Sequence, residues 1–201
     1  MIPRFLYPLL AYRSIVVPFL VVSAIAVPCW LVFRLYRRRT PGHRVSFSRE
    51  ILLVTFVVYL SGLAAATLTP NRSSRYRAEA TKGIDVHPNL ASLTCSSATM
   101  PKGSTAQSFC VRNARGNAAL FFPLGILLPL VFTHLRFWRG VQIAIALSLS
   151  IELVQYLSRT WGVNRTADIN DLILNVVGAS LGLALVFLLR LLRGNTAARR
   201  S

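Results

Sequence analysis

Glu152, Gln155, Arg165, Asp168, Asp171 and Asn175 straddle the break between two long apolar segments, in a chain with only six acidic residues, three of them here. Carboxylate, amide and guanidinium groups at this spacing could hold a polar ligand, pass a proton between two acids, or bind helices to one another. A charged side chain at the centre of a membrane helix is unfavourable by about 2.5–3.5 kcal/mol on insertion scales, so a polar group kept there is a functional-site candidate by default. Ser148, Glu152, Gln155 and Arg159 recur at i, i+4, i+7 and i+11, which places them on one helical face. Asp168, Asp171, Asn175, Gly178 and Gly182 form a second stripe, acidic at its start and bare further on. Asn113 and Asn117, one turn apart, open an earlier segment and can be brought to the same place.

Each of these residues also has a structural reading. Glu152 and Gln155 can act as polar glue between helices. Asp168 is placed to cap the helix that follows it, with Asp171 favoured by the helix dipole. Asn175 lies too deep for a cap and is expected to bond Glu152 or Gln155 across helices. Gly178 and Gly182 make a small-xxx-small face on which another helix can sit closely.

The elements that must position these groups are membrane spans. The chain has 201 residues, 54% hydrophobic and 14% charged, with mean hydropathy +0.53. Soluble domains carry about 25% charged residues. The pattern predicts an all-α, polytopic transmembrane helix bundle of about five spans, near residues 14–33, 51–68, 117–133, 141–157 and 169–192. Pro123 and Pro129 each remove an amide donor and are expected to interrupt the third span with a kink. The net charge is +17, but zinc-finger spacing, a recognition helix and an aromatic nucleic-acid platform are all missing, so the arginines are expected to meet lipid head groups rather than nucleic acid.

Six arginines between residues 34 and 50, against two before the first span, put that loop in the cytoplasm and the N-terminus outside. Five spans then leave the C-terminus cytoplasmic. The organisation is an N-terminal span with a basic cytoplasmic loop (1–50), a second span (51–68) and an extracytoplasmic loop (69–116), which is long enough to suggest a functional role. The remaining spans follow. Cys95 and Cys110 share that loop and are candidates for a disulfide, two free thiols being the alternative; Cys29 reads as a packed small hydrophobe. There is no zinc-ligand spacing, phosphate-binding glycine loop, nucleophile elbow or kinase signature. His87, Ser92 and Asp85 are too close in sequence to suggest a triad. Neither metal nor cofactor is expected.

The combination of these residues resembles the VanZ-like family of small bacterial membrane proteins, over roughly residues 87–186. It runs from Pro88-Asn89-Leu90 through Arg112-Asn113, Gly116-Asn117 and Phe122-Pro123-Leu124-Gly125. It continues with Glu152-Leu153-Val154-Gln155 and closes on Arg165, Asp168, Asp171, Asn175 and Gly178. The gap after Gln155 is a few residues longer than the family pattern, and the 94–111 insertion with both cysteines departs from its plainest members. The family takes its name from a component linked to teicoplanin resistance. The resemblance implies an envelope-related protein of a bacterial cytoplasmic membrane, not a reaction. Its partners would be membrane lipids and an envelope precursor or lipoglycopeptide, bound at the outer leaflet by the cluster Asn113, Asn117, Glu152, Gln155, Arg165, Asp168, Asp171 and Asn175. An intramembrane enzyme using Glu152 and Asp171 as acid and base, and a small proton-coupled transporter, remain as alternatives. The sequence does not fix an oligomeric state.

The orientation can be tested directly. A membrane-impermeant thiol reagent applied to intact cells should label a cysteine introduced at Ser74 and miss one introduced at Thr40. The opposite pattern refutes the assignment of the basic loop to the cytoplasm.

Overall fold

In a computed structural model, residues 13–38, 46–68, 84–96, 101–158 and 167–198 are described. Arg159 and Arg165 lie outside them, as do residues 69–83 of the long loop and most of the turn after Gln155. Five helices are long and apolar enough to cross a membrane, as the composition predicts. The chain divides into two compact units, residues 1–76 and 77–201.

The first unit is a helical hairpin. Helix α1 (Arg13–Arg38) contains Pro18 and Pro28, and α2 (Phe47–Leu68) opens with Glu50 in its first turn. Ser46 begins α2 by accepting the Arg49 amide on its hydroxyl at 3.4 Å. The end of α1 is tied to the start of α2 by a two-pronged ion pair. Arg34 Nη2 donates to Glu50 Oε1 at 2.6 Å and Nε to Oε2 at 3.3 Å. Such a fork is geometrically specific as well as charge-assisted. Along α2, the hydroxyls of Thr55, Ser61 and Thr67 donate to carbonyls one turn back, at 2.7–3.0 Å. Each polar group is thereby satisfied inside its own helix, as an apolar surrounding requires.

The second unit consists of β1 (Ile84–Asp85), α3 (Leu90–Thr94), α4 (Thr105–Val131), α5 (Phe137–Leu157), β2 (Ala167–Asp168) and α6 (Ile169–Ala198). Helix α6 packs against both α4 and α5. Its approach to α4 depends on glycine. A Cβ on Gly178 would collide with the Ala118 carbonyl, one on Gly182 with the Phe122 carbonyl, and one on Gly125 with the Ala179 carbonyl. Ala118 and Phe122 meet Gly178 and Gly182 in the same order along both chains, so α4 and α6 run parallel. Helix α5 runs against them, with its Gly140 making room for the Leu183 side chain. Phe121, Leu124, Leu128, Ala144, Ala179 and Leu183 fill the core. Leucines such as Leu149, Leu153, Leu181, Leu185 and Leu188 point outward, the pattern of helices surrounded by lipid.

One expectation changes. The third span was expected from residue 117, but α4 begins at Thr105. Ser104 caps it, accepting the Gln107 amide at 3.1 Å, and the polar turns that follow are helical although hydropathy assigns them to a loop. Pro123 and Pro129 both lie inside this helix, which continues past each of them. At its far end, Arg190 Nη2 reaches from α6 to the Pro129 carbonyl at 2.5 Å, meeting one of the acceptors that a helix C-terminus leaves open.

If backbone contact requires these glycines, Gly178→Val should lower the melting temperature in detergent, by an amount equivalent to at least the ~1–3 kcal/mol typical of overpacking. Gly116→Ala, where an added methyl meets nothing within 4 Å, should be neutral or slightly stabilising. Equal losses in both variants would refute the close approach.

Candidate functional site

Because α4 and α6 are parallel, their N-termini lie at one end of the second unit, beside the C-terminus of α5. The two-residue strands are there too: β1 and β2 pair in parallel, Ile84 with Ala167 and Asp85 with Asp168. The polar residues singled out from the sequence that lie among the described residues collect at this end.

Asp171 sits three residues into α6. Its Oδ1 accepts from Asn117 Nδ2 at 2.6 Å and from Asn113 Nδ2 at 2.9 Å. One-turn spacing on α4 aims both amides at the same oxygen. Asn113 is exposed, while Asn117 and Asp171 are half-buried, so this group lies at the margin of the bundle.

Asp168 is the N-cap of α6. Its Oδ1 accepts from the Asn170 backbone amide and from Asn170 Nδ2, both at 2.8 Å. Its own backbone N–H donates to Glu152 Oε2 at 3.1 Å. Glu152 therefore reaches from α5 to the first turn of the next helix, and is only 8% exposed. Acceptors so placed satisfy amides that an α-helix cannot pair internally and also favour the positive end of its dipole.

Asn175 does not bond Glu152 or Gln155, as the sequence had suggested. Its Nδ2 donates to Ser148 Oγ at 3.0 Å, with both residues buried. The reason is level: α5 and α6 are antiparallel, so four residues inward from Asp171 on α6 corresponds to four residues inward from Glu152 on α5. Gln155 is half-buried one turn nearer the end of α5, and its carbonyl accepts the Ser158 hydroxyl at 2.6 Å.

Asn170 is a contributor that sequence reasoning missed. It is 4% exposed, and its Oδ1 accepts the Asn89 backbone amide at 2.9 Å. The Asn89 side chain in turn caps α3 by accepting the Ala91 amide at 2.9 Å. The available signal was its place two residues after a capping aspartate. Residues 84–96 are thus held to the start of α6 by strand pairing and by Asn170. They are held to α4 by Cys95 and Cys110, joined as a disulfide with 5.6 Å between Cα atoms. Gln107 braces the same region, accepting from the Gly103 amide at 2.7 Å and donating to the Cys95 carbonyl at 3.4 Å. Among the described residues, no group of three His, Cys, Asp or Glu side chains is placed to hold a metal ion.

Chemically, the arrangement offers a carboxylate dressed by two amides at an accessible margin, and two further carboxylates engaged with the start of α6.

Comparison with known proteins identifies two similarities. The VanZ/LLP1 family model matches residues 56–190, more than half of the chain. Protein VanZ of Enterococcus faecium is 36% identical over 69 residues, covering 34% of this chain. The chain spans only 40% of that curated relative's length. No solved structure matches.

The disulfide gives a direct test. A non-reducing peptide map should recover the Cys95 and Cys110 peptides as one linked species, and Cys95→Ser should lower stability by roughly 3 kcal/mol, the chain-entropy value for a loop of this length. Recovery of both thiols free would reject it.

Proposed function

This chain belongs to the VanZ/LLP1 family, and from that premise we propose that its polar end binds a polar group at the outer leaflet of a bacterial cytoplasmic membrane, with the N-terminus outside and the C-terminus cytoplasmic. The bound group would be an envelope precursor head group or a lipoglycopeptide, and the role would be linked to teicoplanin resistance. The observation that carries this reading is Asp171, half-buried between Asn113 and Asn117 at the margin where α4 and α6 leave the apolar core. A ligand bearing a hydroxyl, amide or ammonium group can add a donor to that carboxylate without opening the bundle.

The same geometry weighs against an acid–base pair made of Glu152 and Asp171. Glu152 accepts a backbone N–H from α6, whereas Asp171 faces the amides of α4. A pair passing a proton through substrate would have to turn both groups toward one cavity. Glu152 and the Ser148–Asn175 pair support the reading as scaffold, holding α6 so that Asp171 is presented.

Two variants separate ligand from scaffold. Asp171→Asn retains an oxygen that can accept both amides and removes only the charge. It should keep the melting temperature in detergent while restoring teicoplanin susceptibility to cells that depend on the protein. Glu152→Leu strips the Asp168 amide of its acceptor and should lower stability by about 1–3 kcal/mol. Full activity in Asp171→Asn would reject the binding role, and loss of activity only in proportion to loss of stability would assign the cluster to structure alone.

A further inference from the structure

Helix α4 has a second face at the same end. Gln107, Ser108, Val111, Arg112 and Arg115 line an open groove of about 440 Å³. Their spacing puts them on one side of α4, opposite the side that carries Asn113 and Asn117. Neither occupation of the groove nor its failure bears on the Asp171 site.

Both arginines are exposed, and among the described residues neither has a carboxylate partner. Arg112 lies over the Phe109 ring, 5.6 Å from its centroid, which holds its guanidinium while leaving its N–H groups available. No acidic residue lines the groove. Gln107 is already engaged with Gly103 and the Cys95 carbonyl, and Cys110 on the neighbouring face is tied to Cys95, so the wall is fixed before anything binds.

The depth of the groove specifies the kind of ligand. The unbroken apolar run of α4 starts at Ala118, so Arg115 and Arg112 stand roughly 5 and 9 Å beyond it along the helix. Head groups occupy about that band on either side of the hydrocarbon. Two guanidiniums a turn apart present planar forks that match phosphate oxygens, and arginine is favoured wherever such oxygens are bound in pairs.

We infer that this groove is a binding site for the phosphate group of a membrane lipid, held by Arg112 and Arg115.

The test uses the full-length protein in detergent, with native mass spectrometry as the readout, titrated separately with dioleoylphosphatidylglycerol, diolein and inorganic phosphate. The phospholipid should be retained and diolein, which lacks the phosphate, should not. The double variant Arg112→Gln/Arg115→Gln should bind the phospholipid about tenfold more weakly, the scale of losing a charge-assisted contact. If the double variant does not fold, Arg115→Gln alone should weaken binding about threefold. Inorganic phosphate that displaces the lipid would show that the phosphate group alone is recognised. Phosphate that fails to displace it would assign recognition to the lipid as a whole. Affinity unchanged by the arginine substitutions, or equal retention of diolein, would overturn the site.

Discussion

A helix that starts at the edge of the hydrocarbon has several backbone N–H groups with no intrahelical partner, and in an apolar surrounding each must find one. In α6 this requirement organises the whole polar end. Asp168 takes the Asn170 amide, and Glu152, sent from α5, takes the amide of Asp168 itself. In an ordinary capping box the side chain three residues past the cap reaches back to that amide. Here the residue at that position is Asp171, whose carboxylate is directed to α4 instead. Because another helix supplies the missing acceptor, Asp171 is released from capping.

Parallel α4 and α6 make this division necessary. Their N-termini sit side by side, so their positive dipole ends add, and the end would be poorly balanced without nearby acidic groups. Acidic residues therefore gather at this end, beyond the glycine contacts that hold the two backbones together. The 84–96 segment, fastened to α6 by Asn170 and to α4 by the disulfide, closes the same end from outside. Folding and function share residues here, which is why Glu152 reads as a site by type and as a support by geometry.

The spans were legible because hydropathy acts over whole segments, and the two stripes because helical periodicity fixes which residues share a face. Membership of one cluster followed from the short connection between α5 and α6. Partner choice was not legible. Whether Asn175 meets Glu152 or Ser148 depends on an axial offset of about one turn, which periodicity does not encode. The helical start at Thr105 was hidden because Arg112 and Arg115 lower the local hydropathy, although Ser104 in front of a helix-compatible run was a capping signal in plain view. Asn170 was overlooked because its part lies in linking Asn89 to Asp168, a relation between segments distant in the chain.

The Arg190 contact to the Pro129 carbonyl has a consequence for the membrane itself. Together with the bonds from Asn113 and Asn117 to Asp171, it fastens α4 to α6 at both extremities, with the glycine contacts between. The sixteen helical steps from Asn113 to Pro129 rise roughly 24 Å, less than the ~30 Å of a typical hydrocarbon core. Two helices fastened in this way cannot slide past one another to change their combined length. Hydrophobic mismatch must instead be absorbed by local thinning of the bilayer or by rearrangement of flanking side chains. The pair therefore meets a change of bilayer thickness as one rigid body.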